Sequence, residues 1–222
     1  MVPRQQNAIS VNPNNLPMRI AATYSREIGA SISRAWENVR DWEHLPWLHA
    51  ESFSDCRLDE EGDWGWRAIT KGVGAAVEQK SVIEVAIDSP NLRYVSRTLE
   101  GPLPGVEIWT QLTELAPHKI RVDVAFHLPH LTQTQASKAG QNLIRLYTKL
   151  WDEDEAMMVA RQTALDARRD ATSATLRCPH MGAPLDHVEP DADGCITCPW
   201  HGYRFNVATG LSADGRGLKL RP

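Results

Sequence analysis

Residues 178–202 read CPHMGAPLDHVEPDADGCITCPWHG, and this stretch contains three of the four cysteines of the 222-residue chain. A Cys-x-His pair, Cys178 and His180, precedes a Cys-x-x-His pair, Cys198 and His201. Thiolates suit iron–sulfur clusters, and neutral imidazoles in place of two thiolates make such a cluster less negative and raise its reduction potential. Two cysteines and two histidines at this spacing therefore predict a [2Fe–2S] cluster with mixed ligands.

The two loops resemble the cluster loops of the Rieske family, whose pattern is CPHxGAPL followed by CPWHGYRFNVATG. The resemblance implies that the two cysteines bind one iron and the two histidines bind the other, outer iron. It also implies that Gly182 and Gly202 form tight turns. Met181 departs from the pattern, because ring-hydroxylating members usually have Arg there.

Two other interpretations of the cysteines remain open. A zinc site could be formed by Cys178, His180, Cys195 and Cys198, because Cys195-Ile-Thr-Cys198 is a C-x2-C knuckle. A disulfide involving Cys56 or Cys195 is the other interpretation. The N-terminus lacks the apolar run of a secretory signal, so we expect a reducing cytoplasm, in which both cysteines are small buried hydrophobes.

The composition excludes several classes of protein. The 24 Lys and Arg residues against 28 Asp and Glu residues give a net charge of −4, whereas nucleic-acid-binding proteins usually carry a basic excess. No stretch approaches the roughly 18 to 20 apolar residues that a membrane-spanning helix requires. We therefore expect neither a nucleic-acid partner nor a membrane partner. The length suits one full domain with a small appendage.

The chain is predicted to have three parts, namely a flexible arm at 1–17, a domain at 18–170 and a cluster-binding segment at 174–222. In the middle part, Ser31 is expected to cap a helix that Pro46 terminates. Runs bounded by turn residues predict strands at 18–24, 51–58, 63–70, 75–87, 92–99, 106–115 and 119–128.

A long helical pattern at about 131–169 closes the middle part. A strand, a helix, a curved antiparallel sheet and a long C-terminal helix resemble the helix-grip fold of the START-like (SRPBCC) superfamily, which holds a ligand between sheet and helix. The resemblance covers residues 18–170 and implies an α+β domain, to which residues 174–222 add a small all-β iron–sulfur segment. The superfamily includes lipid carriers, polyketide cyclases and oxygenase domains, so the fold alone does not decide the function.

A second group of metal ligands is expected on the first helix, where the chain reads Glu37-x3-Asp41-x2-His44-x4-His49. The first three residues share one helical face, and Pro46 turns the chain so that His49 can return to it. Non-haem Fe(II) that activates O₂ needs two imidazoles and one carboxylate, with its remaining positions open. The alternative is a polar helix face with stray histidines.

Asp154 is predicted to supply the carboxylate, because it falls on the apolar seam of the closing helix, whereas Asp152 falls on the polar side. Burying an unpaired carboxylate is costly, so a metal ion or a salt bridge should accompany Asp154. A salt bridge to Arg161 is the alternative to the metal.

This second group resembles the catalytic domain of Rieske non-haem iron oxygenases, whose signature is E-x3-D-x2-H-x4-H with a later Glu-Asp, as in Glu153-Asp154. By that resemblance the iron ligands are His44, His49 and Asp154. Asp41 is then the carboxylate that hydrogen-bonds both an iron-ligand histidine and a cluster histidine, and so bridges the two sites for electrons. Family members usually place the Rieske domain first and are longer, so here the order is reversed and the cluster segment is minimal.

These features predict a mono- or dioxygenase that takes electrons from an external reductase or ferredoxin and uses O₂ to hydroxylate a small apolar or aromatic substrate. The alternative is a START-like ligand-binding domain fused to a Rieske electron carrier or redox sensor. A homo-oligomer is also expected, in which the cluster of one subunit serves the iron of another. Its basis is that the closing helix carries the chain about 22 Å beyond Asp154 before the linker begins.

Overall fold

The computed structural model describes residues 18–74, 79–129, 131–170 and 176–220. The predicted arm at 1–17 lies outside the described residues, as does the predicted start of the cluster-binding segment at 174. The described chain forms a seven-stranded antiparallel sheet, a long helix packed on it, and a small β segment after the helix.

Seven strands form the large sheet, as predicted. They are β1 (Met18–Ile28), β2 (Asp55–Gly62), β3 (Gly65–Lys71), β4 (Lys80–Asp88), β5 (Arg93–Glu100), β6 (Glu107–Ala116) and β7 (Lys119–Pro129). The α-helices are α1 (Ile32–Arg40), α2 (Leu45–Leu48) and α3 (Gln133–Asp170). The second strand begins four residues later than the predicted run 51–58, because 51–54 form a turn after α2. Positions 75–78 of the predicted run 75–87 lie outside the described residues. The strand order is β1-β7-β6-β5-β4-β3-β2, so the first strand pairs with the last and the others form a meander. The predicted α+β helix-grip architecture with its long C-terminal helix is confirmed.

The core of this domain lies between the sheet and α3. Every second side chain of β7 points into it, as the sequence alternation predicts, and each is buried: Ile120, Val122, Val124, Phe126 and Leu128. Burying side chains of this size contributes about 1.5–3 kcal/mol each. The helix supplies Trp151 and Met158 to the same core.

The second half of α3 is covered on two sides. Met158 packs into the core under the sheet, whereas its neighbour Met157 packs into a second core formed by the C-terminal segment. Successive helical side chains point about 100° apart, so one turn of α3 can serve both cores. Asp154 lies one turn before these methionines and is buried, while Asp152 is exposed, as the sequence predicts.

The predicted single helix from Ser31 to Pro46 is wrong at its end. Ser31 does cap α1, since its side chain accepts a hydrogen bond from a backbone N–H of the first turn. The helix ends at Arg40, however, and Asp41 takes an extended conformation. Pro46 lies in the first turn of α2, where its missing N–H costs nothing. Asp41 and His44 therefore stand at a corner between two helices and not on one helical face.

The cluster segment, as we call residues 176–220, contains the two-stranded sheet of β8 (Cys195–Thr197) and β9 (Arg204–Asn206). The predicted small all-β segment is confirmed. Its core side chains include Leu185, Ile196 and Phe205. Across the part of the chain that the structure describes, no helix combines the length and the apolar character needed to cross a membrane.

Candidate metal centres

Three predicted ligand side chains meet between α2 and α3. Nε2 of His49 and Nε2 of His44 lie 3.1 and 3.6 Å from Oδ1 of Asp154, and the two rings stand edge to face with centroids 5.0 Å apart. Among the described residues, this is the one group of three His, Cys, Asp or Glu side chains whose ligand atoms all lie within 4.8 Å of one another. His44, His49 and Asp154 are 4%, 2% and 8% exposed, so the group is shielded from bulk water.

A carboxylate lies near Nδ1 of each histidine of this group, on the side of the ring away from Asp154. Nδ1 of His49 lies 2.6 Å from Oε2 of Glu153, and Nδ1 of His44 lies 3.6 Å from Oδ2 of Asp41. The contact with Glu153 turns Nε2 of His49 toward Asp154, which is how proteins orient histidines that bind metals, whereas Nδ1 of His44 has no hydrogen-bond partner among the described residues. Burial lowers the pKa of His49, but hydrogen bonds to Asp154 and Glu153 outweigh it and raise that pKa.

Asn38 is a residue of this site that the sequence does not reveal. Its Nδ2 donates a hydrogen bond of 2.9 Å to Oδ1 of Asp154 from the buried face of α1. The predicted alternative partner of Asp154, Arg161, pairs instead with Glu37, with Nε–Oε2 at 3.3 Å and Nη2–Oε1 at 3.2 Å. Within the described chain, the ion pairs of Asp154 are with histidines alone. The structure therefore does not show the predicted salt bridge between Asp154 and Arg161.

The cysteine and histidine side chains of the two cluster loops also converge. Cys178 and Cys198 are fully buried with their thiols hydrogen-bonded, and the rings of His180 and His201 lie 4.6 Å apart. Nδ1 of each of these histidines is buried without a hydrogen-bond partner in the described part of the chain. A buried nitrogen with no partner is costly, and a metal ion bound to it removes the cost.

Two of these four side chains, Cys198 and His180, are held in the form that binds metals. The Cys178 thiol, aided by the nearby imidazole of His201, outweighs burial and lowers the pKa of Cys198 to about 5. Burial and the charge of His201 lower the pKa of His180. Contacts with Cys198 and with Asp41 raise the pKa of Cys178 and of His201, so metal binding would release a proton from each of these two. Thiolates and neutral imidazoles are the forms that bind metals. The residues therefore fit a [2Fe–2S] cluster with two cysteine and two histidine ligands.

The zinc and disulfide alternatives fit less well. Thiolate–zinc bonds of about 2.3 Å place the four ligand atoms of one ion within about 4 Å of one another. No three ligand atoms of the described side chains Cys178, His180, Cys195 and Cys198 meet even a 4.8 Å limit, whereas a two-iron cluster separates its ligands further. The Sγ of Cys195 contacts the carbonyl of Asp193 instead, and all four cysteines are free.

Asp41 joins the two candidate centres. Its Oδ2 lies 2.6 Å from Nε2 of His201 and 3.6 Å from Nδ1 of His44. Burial raises the pKa of Asp41, but the hydrogen bond with His201 and the nearby imidazole of His44 outweigh burial and hold it below its usual range. The same bond raises the pKa of His201 to about 9 against the opposing effect of burial. An ionised carboxylate therefore stands between one imidazole of each centre.

Comparison with protein families supports the interpretation of the cluster segment. Residues 138–218, less than half of the chain, match the Rieske [2Fe-2S] domain. A human protein described as a Rieske domain-containing protein is 34% identical over 70 residues, which cover 26% of this chain and 45% of that protein. Mouse apoptosis-inducing factor 3 is 48% identical over 42 residues, covering 19% of this chain and 7% of that protein. The chain thus carries a Rieske [2Fe–2S] domain and spans less than half the length of these relatives.

Solved structures resemble the helix-grip domain. A protein of Thermus thermophilus has a TM-score of 0.51 at 18% identity, covering 65% of this chain and 98% of that one. The Zhui aromatase/cyclase of a Streptomyces species has a TM-score of 0.53 at 13% identity, covering 65% of this chain and 96% of that one. At these identities the likeness shows the fold alone, and it confirms the predicted START-like fold.

Proposed function

We propose that the chain is a Rieske-type non-haem iron oxygenase, which uses O₂ and electrons from an external reductase or ferredoxin to hydroxylate a small apolar or aromatic substrate in the cytoplasm. The observation that carries the proposal is the chain of contacts from His201 through Asp41 to His44. A ligand-binding domain without redox chemistry has no use for a carboxylate held between two candidate metal centres. Two buried histidines that share one aspartate match the ligand type that non-haem Fe(II) requires.

The proposal assigns two metal groups to the chain. A [2Fe–2S] cluster would supply single electrons and Fe(II) would supply O₂ activation, the first on Cys178, His180, Cys198 and His201 and the second on His44, His49 and Asp154. Glu153 holds His49 in the required orientation by a hydrogen bond, and Asp41 lies 3.6 Å from Nδ1 of His44. Asn38 holds Oδ1 of Asp154, which restricts the rotation of that carboxylate. Burial of all three ligands keeps bulk water away.

The surroundings of Asp154 support an apolar or aromatic substrate. Trp36 packs edge to face on Tyr94 with centroids 6.4 Å apart, and Phe126 packs on Tyr147 at 4.9 Å. Burial is the main cause that raises the pKa of Tyr94 and of Tyr147, and the charge of Asp154 raises both further. Tyr147 lies two turns before Asp154 on the same helix. A molecule bound beside this part of α3 would meet aromatic side chains.

A surface groove of about 470 Å³ crosses the sheet elsewhere. Its lining includes Thr23, Ser25, Trp109, Gln111 and Asp123. Along β1, Thr23 and Ser25 alternate with Tyr24, which packs into the core facing α3. The groove therefore opens on the outer face of the sheet, and none of the metal-ligand candidates lines it.

A single-turnover experiment tests the proposal. The holoprotein is reduced without air and then given ¹⁸O₂ together with a panel of small aromatic hydrocarbons. We expect ¹⁸O in a hydroxylated product and an oxidised cluster for the wild type and for Asp152→Ala, and no product for Asp154→Ala. Cluster oxidation at the same rate in all three proteins, with no ¹⁸O in any product, would overturn it.

The second candidate is a START-like ligand-binding domain fused to a Rieske electron-transfer or redox-sensing module. The family match favours this candidate, because it covers residues 138–218 and does not include His44 or His49. This candidate predicts a cluster and no mononuclear iron, so the iron content of the protein separates the two functions.

A further inference from the structure

We infer that each chain is a complete electron-transfer unit, in which the cluster segment docks on α2 and α3 of its own chain and presents His201 to its own Asp41. The docking rests on contacts alone. The electron path additionally rests on the proposed function. This inference replaces the expectation that the cluster of one subunit serves the iron of another.

The linker after α3 is long enough for the cluster segment to fold back onto α3 of the same chain. The cluster segment docks beside the last turns of α3, where the space next to Gly182 is filled by Ala164. Ala164 lies six residues before the helix end at Asp170, which is about 9 Å along the axis. Six residue steps from Asp170 to Leu176 span up to about 20 Å when extended. The linker alone need not span the distance from the end of α3 back to Asp154, because the cluster segment itself packs along α3 beside Met157, Ala160 and Ala164.

Both cluster loops meet the helix-grip domain at a glycine. A Cβ on Gly182 would lie 2.8 Å from Cβ of Ala164 on α3, and a Cβ on Gly202 would lie 2.1 Å from the ring of Trp47 on α2. Both glycines also have positive φ, at 87° and 67°, which confirms the predicted tight turns. At these two positions each loop therefore lies closer to its helix than a residue with a Cβ atom would allow.

Polar contacts lie beside both glycine contacts. Nη1 of Arg161 on α3 donates to the carbonyl of Met181 at 3.0 Å, while the rest of its guanidinium pairs with Glu37 on α1. In the other loop, the hydroxyl of Tyr203 donates to Glu43 at 2.8 Å. Each loop is thus held by at least one hydrogen bond to the helix-grip domain of the same chain, from α3 in one case and to the turn between α1 and α2 in the other.

The cluster segment does not complete its core alone. Met157 of α3 is one of the buried side chains of that core, and Leu48 and Ala160 pack against it. Removing the helices would expose this apolar surface to water, at roughly 25 cal/mol for each Å². Docking is therefore part of the fold of the segment, which explains how a minimal cluster domain is stable.

Hydrogen exchange tests the docking without any assumption about activity. In the holoprotein, Gly202→Ala should make the amides of 198–204 exchange at least about tenfold faster, because the new methyl group displaces Trp47. The control Gly215→Ala has a similar positive φ of 75° and open space around it, and should leave these amides protected. The wild-type protection should stay constant on dilution to the monomer. Protection that disappears on dilution would show that a second chain provides the contact.

Electron paramagnetic resonance tests the path. Co(II) loaded at His44, His49 and Asp154 should broaden the signal of the reduced cluster in the wild type, relative to Zn(II). A mixture of Asp154→Ala chains and Cys178→Ala chains should show no broadening, even after subunit mixing is verified. Broadening in the mixture would overturn the inference. If Cys178→Ala does not fold, His180→Gln serves as the cluster-free chain. Failure of Co(II) to bind would contradict the proposed function and leave the docking to the exchange experiment.

Discussion

Oδ2 of Asp41 lies 2.6 Å from Nε2 of His201, a residue 160 positions later in the chain. The contact joins the corner between α1 and α2 to the second cluster loop. Nδ1 of the same ring is buried without a hydrogen-bond partner among the described residues, so it is available to bind a metal ion. A hydrogen-bonded carboxylate makes the imidazole a stronger ligand and fixes its orientation, so this one contact acts on both candidate centres.

Replacing Asp41 with Asn should raise the reduction potential of the cluster, because the carboxylate stabilises the more positive, oxidised state. The expected shift is at least about 59 mV, which corresponds to a tenfold change in the equilibrium constant of a one-electron couple. Spectroelectrochemistry of the holoprotein measures it. Glu51→Gln removes an exposed carboxylate that pairs with Lys149 and should leave the potential unchanged. Equal potentials for both variants would mean that Asp41 does not contact a cluster ligand.

Replacing Asp154 with Ala should abolish metal binding at the mononuclear site and leave the visible spectrum of the cluster intact, because the two centres use separate ligands. Co(II) titration followed by absorption measures the first effect. The control Asp152→Ala removes an exposed carboxylate from the same helix turn, one that pairs with Arg26. Wild-type Co(II) binding by Asp154→Ala would show that Asp154 is a structural carboxylate.

Replacing Glu153 with Gln should weaken metal binding by about 10–100-fold, the usual effect of removing a carboxylate behind a ligand histidine. The reason is the 2.6 Å contact between Glu153 and Nδ1 of His49, which orients Nε2 toward Asp154. Isothermal titration with Zn(II) gives the dissociation constant. An unchanged constant would show that His49 is oriented by its packing alone.

Replacing Arg161 with Met should lower the free energy of unfolding by about 1–3 kcal/mol, because the carbonyl of Met181 loses a donor and Glu37 loses one of its two arginine partners. Urea titration measures the loss. Arg145 is an exposed arginine on the same helix that contacts Asn142, and Arg145→Met should cost much less. Similar decreases in the free energy of unfolding for the two variants would show that the contacts of Arg161 do not stabilise the docked segment.

The candidate cluster ligands could be brought together from sequence because their spacing is local. Cys178 and His180 share one short loop, as do Cys198 and His201. The two side chains of each pair are therefore close together in any fold that the rest of the chain adopts. The strands could be predicted for a similar reason, since alternation such as that of β7 requires only that one face be buried.

The break between α1 and α2 could not be predicted in the same way. Glu37, Asp41 and His44 have the spacing of one helical face, and nothing local interrupts the helix before Pro46. The extended conformation of Asp41 accompanies its bond to His201, a contact between residues far apart in the chain. Asn38 was missed for the same reason, because its partner Asp154 is 116 positions away.

The iron-to-sulfide ratio of the anaerobically purified wild-type protein tests the account most directly. Fe(II) is supplied during purification, and iron and acid-labile sulfide are then measured on the same sample. A [2Fe–2S] cluster with one mononuclear iron predicts three irons for every two sulfides. Two irons for two sulfides, with no further iron bound at the site of His44, His49 and Asp154, would contradict it.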